Sequence, residues 1–189
     1  MSLYQNKQIS INDYFEIREK SEELLEYIDG IVYMSPSPST KHQRISRKLL
    51  IKFDQFLDGR PCEVFHAPFD IELQNENMEG TKIVIPDLCV ICDKSGFTES
   101  RYIGVPTLIV EILSPSNQSH DLITKLNLYM NARVNEYWIV NPMLHSVTVY
   151  SLNEERMYEQ HDMKTEGGNI TSKCLEGFSV DLKEIFYEE

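Results

Sequence analysis

Two short apolar runs each carry one carboxylate at their centre. Lys82-Ile-Val-Ile-Pro-Asp-Leu-Cys-Val-Ile-Cys92 surrounds Asp87, and Thr107-Leu-Ile-Val-Glu-Ile-Leu113 surrounds Glu111. Both runs have the length and β-branched content of buried strands. An ionised carboxylate buried there is costly unless a cation, a hydrogen-bond cluster or a metal meets it. Two such strands joined by one connection suggest a convergent acidic pair, and acidic pairs bind divalent metals. The chemistry this points to is metal-assisted hydrolysis. Taken alone, Asp87 also fits a strand-end carboxylate accepting backbone N–H groups. Glu111 is harder to explain that way, because a strand interior rarely holds a lone Glu.

A helix read from about His120 to Ala132 supplies a candidate cation, Lys125. Its apolar face is read as Leu122, Leu126, Tyr129 and Met130. Lys125 stands about 100° from Leu126, at the border of that face. An ordinary i,i+4 pair with Asp121, worth ~0.3 kcal/mol, explains the lysine equally well on the residues alone.

The other elements follow from capping, periodicity and turn residues. Ser10 caps a helix through about Lys20. Leu24 to Ser35 is a hairpin turning at Asp29-Gly30. Pro36 and Pro38 break the chain before an amphipathic helix, Thr40 to Leu57, with His42, Ile45, Leu49, Phe53 and Phe56 facing inward. Glu63 to Leu73 reads as one strand, and residues 93–106 as a loop between the two carboxylate strands. Ser114 to Ser119 is a loop that ends in a helix cap. Asn135 to Asn141 and Ser146 to Leu152 form a meander that Arg156 to Met163 extends, and Asp181 caps a short C-terminal helix. Several connections are hairpin-short. The order therefore fits one α/β sandwich with a mixed sheet better than a doubly wound fold.

The whole chain sets bounds. It has 189 residues, enough for one domain with a full core. No apolar stretch approaches the ~18 residues of a membrane span. The N-terminus lacks the hydrophobic core of a signal peptide, so cytoplasmic residence is expected. Four cysteines (62, 89, 92 and 174) do not suggest a disulfide framework. Cys89 and Cys92 would point to opposite faces of a strand, which argues against a chelate and for structural thiols.

The net charge of −12 argues against a protein that coats nucleic acid through bulk charge. Residues 41–60, however, hold six Lys/Arg and two Asp, while the rest carries 12 basic against 28 acidic residues. Lys41, Arg44, Lys48 and Lys52 share a helical stripe. It fits either a solvated face or a local phosphate-contacting surface.

Pro86-Asp87, then 23 residues, then Glu111-Ile-Leu113, then Lys125 resembles the PD-(D/E)XK nuclease pattern. One position departs from it: Leu113 stands where that pattern places a lysine. More closely, the chain resembles the Uma-two family of restriction-endonuclease-like proteins. The resemblance rests on Leu25-Glu-Tyr-Ile-Asp-Gly30, on Met34-Ser-Pro-Ser-Pro38 followed by His42, on Pro86-Asp87, and on Val110-Glu-Ile-Leu-Ser-Pro115. It continues through Asp121-x-x-x-Lys125-x-x-x-Tyr129, Glu136-Tyr-Trp-Ile-Val140 and Leu175-Glu-Gly-Phe178.

The resemblance implies a restriction-endonuclease-like core over residues 1–189, a mixed β-sheet flanked by helices. It implies a divalent-metal-dependent endonuclease acting on DNA with Mg²⁺ or Mn²⁺. Asp87, Glu111 and the Ile112 carbonyl would be metal ligands, and Lys125 the migrated active-site lysine. Glu26 matches an early acidic position and would be a further ligand. His42 matches the family's histidine at the start of the second helix. The residue-level alternatives are an exposed hairpin glutamate and a core histidine. The family's fold does not by itself establish catalysis, and the missing lysine at 113 favours the alternative of an inactive nuclease fold kept as a binding module. A homodimer is expected by base rate.

Overall fold

Three of the α-helices begin where a small polar side chain accepts a backbone N–H. The computed structural model describes residues 2–4, 8–35, 37–76, 78–114 and 120–187. After β1 (Ser2–Leu3), helix α1 (Ile11–Lys20) starts with a capping box in which Ser10 and Asp13 exchange hydrogen bonds. Strands β2 (Leu24–Ile28) and β3 (Ile31–Ser35) form the expected hairpin. Asp29 and Gly30 both take positive φ at its turn. Ser39 caps α2 (Thr40–Leu57), as its position before the basic helix requires.

The segment read as one strand over Glu63 to Leu73 is two strands. β4 (Glu63–His66) and β5 (Asp70–Leu73) belong to different sheets. The run around Asp87 divides in the same way, into β6 (Lys82–Val84) and β7 (Leu88–Ile91). Both breaks hold a proline, Pro68 or Pro86, which cannot donate to a ladder. Asp87 therefore sits at a junction between sheets and not in mid-strand. The stretch 93–106 is not all loop either, since β8 (Arg101–Gly104) pairs with β5.

From β9 (Leu108–Ile112) the order is as expected: α3 (His120–Ala132), β10 (Glu136–Asn141), β11 (Ser146–Leu152) and β12 (Tyr158–Thr165). β13 (Asn169–Thr171) and β14 (Ser179–Asp181) make a small ribbon, and Asp181 caps α4 (Leu182–Phe186). The loop and helix cap expected from Ser114 to Ser119 lie, beyond Ser114, outside the described residues, as does the expected break at Pro36.

Two six-stranded sheets result, ordered β1-β3-β2-β6-β5-β8 and β12-β11-β10-β9-β7-β4. Both are mixed, because β5 runs parallel to β8 and β9 parallel to β10. The α/β class with mixed sheets and flanking helices is as expected, with two sheets where one was foreseen.

Strand alternation decides what each helix touches. In β9, Leu108, Val110 and Ile112 join Ile45, Leu49, Phe53 and Leu57 of α2 in one cluster. Ile109 turns the other way, into a cluster with Leu128, Tyr129 and Ala132 of α3. Glu111 shares the parity of Ile109, so it points toward α3. The inward stripe of α2 ends on Leu57, and Phe56 is only half-buried. Trp138 packs edge-on to Phe53 at 5.7 Å, and Tyr137 edge-on to Tyr129 at 5.0 Å. Both aromatics are core residues.

Cysteine usage departs from expectation, because Cys62 and Cys92 form a disulfide. They are the next opposed pair beyond Glu63 and Ile91 in the β4–β7 ladder, a register that could not be read before the ladder was known. Cys89 and Cys174 are free thiols. Among the described residues, no helix is long and apolar enough to cross a membrane.

Candidate functional site

Lys125 lies on the buried stripe of α3, with Leu128, Tyr129 and Ala132 at i+3, i+4 and i+7. It is inside that face and not at its border, and is only 6% exposed. A lysine so placed needs carboxylates, because desolvating an ammonium costs several kcal/mol. Two meet it. Lys125 Nζ donates to Glu111 Oε1 at 2.7 Å and reaches Glu26 Oε1 at 3.3 Å. The i,i+4 alternative with Asp121 involves a side chain outside the described set.

Glu26 is central in β2 and fully buried. It is no exposed hairpin residue. Its Oε1 accepts the Ile85 N–H at 2.8 Å, which ties β2 to the backbone just before Pro86-Asp87. Its Oε2 is buried without a hydrogen-bond partner, an arrangement native proteins rarely keep without a use. Glu111 comes from the other sheet, and its Oε1 also accepts the Tyr129 hydroxyl at 2.6 Å. Asp87 stands at the junction, where its Oδ2 accepts the Ile112 N–H at 2.7 Å and lies 3.2 Å from His42 Nε2.

The residues singled out from the sequence fall into two neighbouring contact sets: Lys125 with Glu26 and Glu111, and Asp87 with His42 and the Ile112 N–H. The Ile112 group in contact is the N–H and not the carbonyl expected as a ligand. Tyr129 was read as packing and as a motif position, and not as a site residue. Its position one turn after Lys125 was the available signal that it shares the carboxylate. Leu113, at the position where the superfamily pattern has lysine, is buried and apolar. The ammonium arrives from α3 instead.

Charges perturb one another here. Burial drives the Glu111 carboxyl above its ordinary range. Lys125 opposes that rise, while Asp87 and Glu26 add to it. Burial would discharge Lys125, but Glu111 and Glu26 outweigh it and hold the ammonium well above its usual value. Burial likewise favours neutral His42, yet Asp87 prevails and the imidazole is raised. Burial lifts the Tyr129 phenol well above normal, and Glu111 adds to it. The hydroxyl therefore donates and does not ionise.

Three carboxylates face one ammonium and one imidazole, which leaves excess negative charge in a mostly dry site. Exposure is graded across it: the Asp87 side chain is 19% accessible and Glu111 12%, while Glu26 has none. Access is from the Asp87 side. Among the described residues, no three His, Cys, Asp or Glu side chains form a ready-made ligating group. Magnesium does not require one, since it is commonly held by one or two carboxylates with retained waters. The excess charge and the partnerless Glu26 Oε2 fit a hard divalent cation. They do not fit a soft-metal site, because carboxylates are hard donors and none of the contacts above involves a thiol.

Residues 11–183 match the Uma2 family, described as "Putative restriction endonuclease". The chain is 30% identical over 148 residues to an uncharacterized protein of Synechocystis sp., covering 78% of this chain and 76% of that one. Its fold matches, with a TM-score of 0.73, the crystal structure of a protein from Anabaena variabilis described as "a putative nuclease belonging to DUF820". The match covers 94% of this chain and 97% of that one, at 18% identity, so it is a likeness of fold.

Proposed function

The chain belongs to the Uma2 family of restriction-endonuclease-like proteins, and from that premise we propose that it is a divalent-metal-dependent phosphodiesterase acting on DNA. The observation that carries the proposal is the buried Lys125, held between Glu26 and Glu111 next to the solvent-facing Asp87. Asp87, Glu111 and the Ile112 carbonyl would hold Mg²⁺ or Mn²⁺, with Glu26 as a further ligand. Such an ion supplies Lewis acidity, which acidifies water and neutralises charge on a phosphate.

The chain's own groups do the rest. The Ile112 N–H and the Tyr129 hydroxyl hold Asp87 and Glu111 in place, so little reorganisation is needed as charge develops. Lys125 keeps its proton and offers a fixed positive charge to phosphate oxygens or to an attacking water. His42 orients Asp87.

A second reading, an inert nuclease fold used for binding, is favoured by Leu113 and by the fact that Lys125 is already ion-paired. Plasmid nicking with Mn²⁺ decides between them. Wild type should nick, and Asp87→Ala, Glu111→Ala and Lys125→Ala should each fall by about 100-fold or more. Nicking that persists in all three variants would mean a contaminant and would overturn the assignment. The expected homodimer belongs to the same proposal and is checked by sedimentation.

A further inference from the structure

The basic stripe of α2 does not face open solvent alone. Arg44, Arg47, Lys48 and Lys52 line a groove of about 760 Å³ with Lys183, Glu184 and Tyr187 at the C-terminal helix. Among the described residues that line it, five cations meet one carboxylate, on a chain whose net charge is −12. Internal pairing absorbs part of this: Lys52 bonds Glu184 at 2.6 Å, and Lys48 donates to the Tyr187 carbonyl at 2.7 Å. Arg47 and Lys183 are exposed and form no ion pair among the described residues. Like charges held this close repel one another, and an external polyanion relieves that repulsion.

Position gives the groove a direction. The stripe starts at Lys41, the residue before His42, whose ring touches Asp87. From Lys41 to Lys52 the helix rises about 16 Å, which matches about five phosphates of one duplex strand. We propose that this groove grips the sugar–phosphate backbone of a nucleic acid and lays it along α2 toward the acidic site. The proposal rests on the nuclease reading for the class of partner. Such contacts position a strand without reading its sequence.

The test is fluorescence anisotropy of a fluorescein-labelled DNA duplex with full-length protein in EDTA, between about 50 and 200 mM salt. Three proteins are compared: wild type, Arg47→Glu/Lys183→Glu and Lys20→Glu, a charge reversal at an exposed residue outside the groove, with circular dichroism confirming that each is folded. Wild type should bind with a steep salt dependence. The double reversal should lose about tenfold or more at low salt, and its log–log salt slope should shrink by about 2, one per phosphate contact. Lys20→Glu should stay within about threefold of wild type, and a loss as large as that of the double reversal would show bulk charge at work and overturn the proposal. Equal binding by wild type and the double reversal, or no duplex binding by wild type at about 50 mM salt, would overturn the proposal. Failure of the nuclease reading shows separately, as absent nicking with the EDTA binding data intact.

Discussion

Lys125 and Glu111 form a buried ion pair, Nζ to Oε1, at 2.7 Å. A pair of this kind adds little net stability, because desolvating both charges offsets their attraction. Removing one partner is costly because the other is left alone. Lys125→Met should therefore destabilise the metal-free protein by about 3–5 kcal/mol in urea titrations, since Glu26 and Glu111 both lose their cation. The double variant Lys125→Met/Glu111→Gln should recover part of that loss. A Lys125→Met cost under about 1 kcal/mol would place the lysine outside the site's charge balance.

Tyr129 donates to the same Glu111 oxygen at 2.6 Å. Tyr129→Phe keeps the ring that packs on Tyr137 and deletes one hydrogen bond to a buried, charged acceptor. The expected loss is about 1.5–3 kcal/mol, read as a lower urea midpoint at unchanged slope. Mn²⁺ affinity should also fall, because Glu111 is then less firmly placed. A variant as stable as wild type would make the contact incidental.

A cation that binds only the folded chain raises its melting temperature by mass action. At about 100 times its Kd the gain is about 2.7 kcal/mol, or several degrees for a chain of this size. Mg²⁺ or Mn²⁺ should raise the melting temperature of wild type, and Asp87→Ala should abolish the shift. The inert-fold reading expects no metal response in either protein.

The acids were legible in the sequence because a carboxylate inside an apolar run violates the local burial pattern. Lys125 was legible only through the family motif, since a lysine on a helix is unremarkable until its stripe is known to be buried. Glu26 was visible as a motif position and not as a buried group, whereas His42 was read on the inward stripe but without its partner Asp87. Their environment depends on β2 facing β6 and on α2 lying over the Asp87 junction, which are long-range pairings. Periodicity placed α1, α2 and the β10–β11 hairpin well because those elements depend on local signals. It merged β4 with β5 and β6 with β7, because an extended chain crossing from one sheet to the other keeps its apolar composition and only the proline marks the break. The Cys62–Cys92 bridge was hidden for the same reason: it needs the register of β4 on β7.

Acid sensitivity should come partly from a site far from these carboxylates. Asp162 joins β12 to β13 by accepting from the Thr171 N–H at 3.1 Å, the Thr171 hydroxyl at 3.0 Å and Lys164 Nζ at 2.7 Å. Burial pushes its carboxyl up, but the bonds from Lys164 and Thr171 outweigh burial and leave it lowered. A lowered folded-state value means that the unfolded chain binds more protons in the intervening window, so stability rises with pH there. The contribution is complete above the unfolded carboxyl range, about pH 4, and is lost as pH falls through the folded value. Asp162→Asn should cost about 1–2 kcal/mol at neutral pH, reduced somewhat because Lys164 is 39% exposed. Urea midpoints measured from neutral pH down through the carboxyl range should converge for the two proteins in acid. A gap that stays constant with pH would show that Asp162 acts through packing and not through its charge.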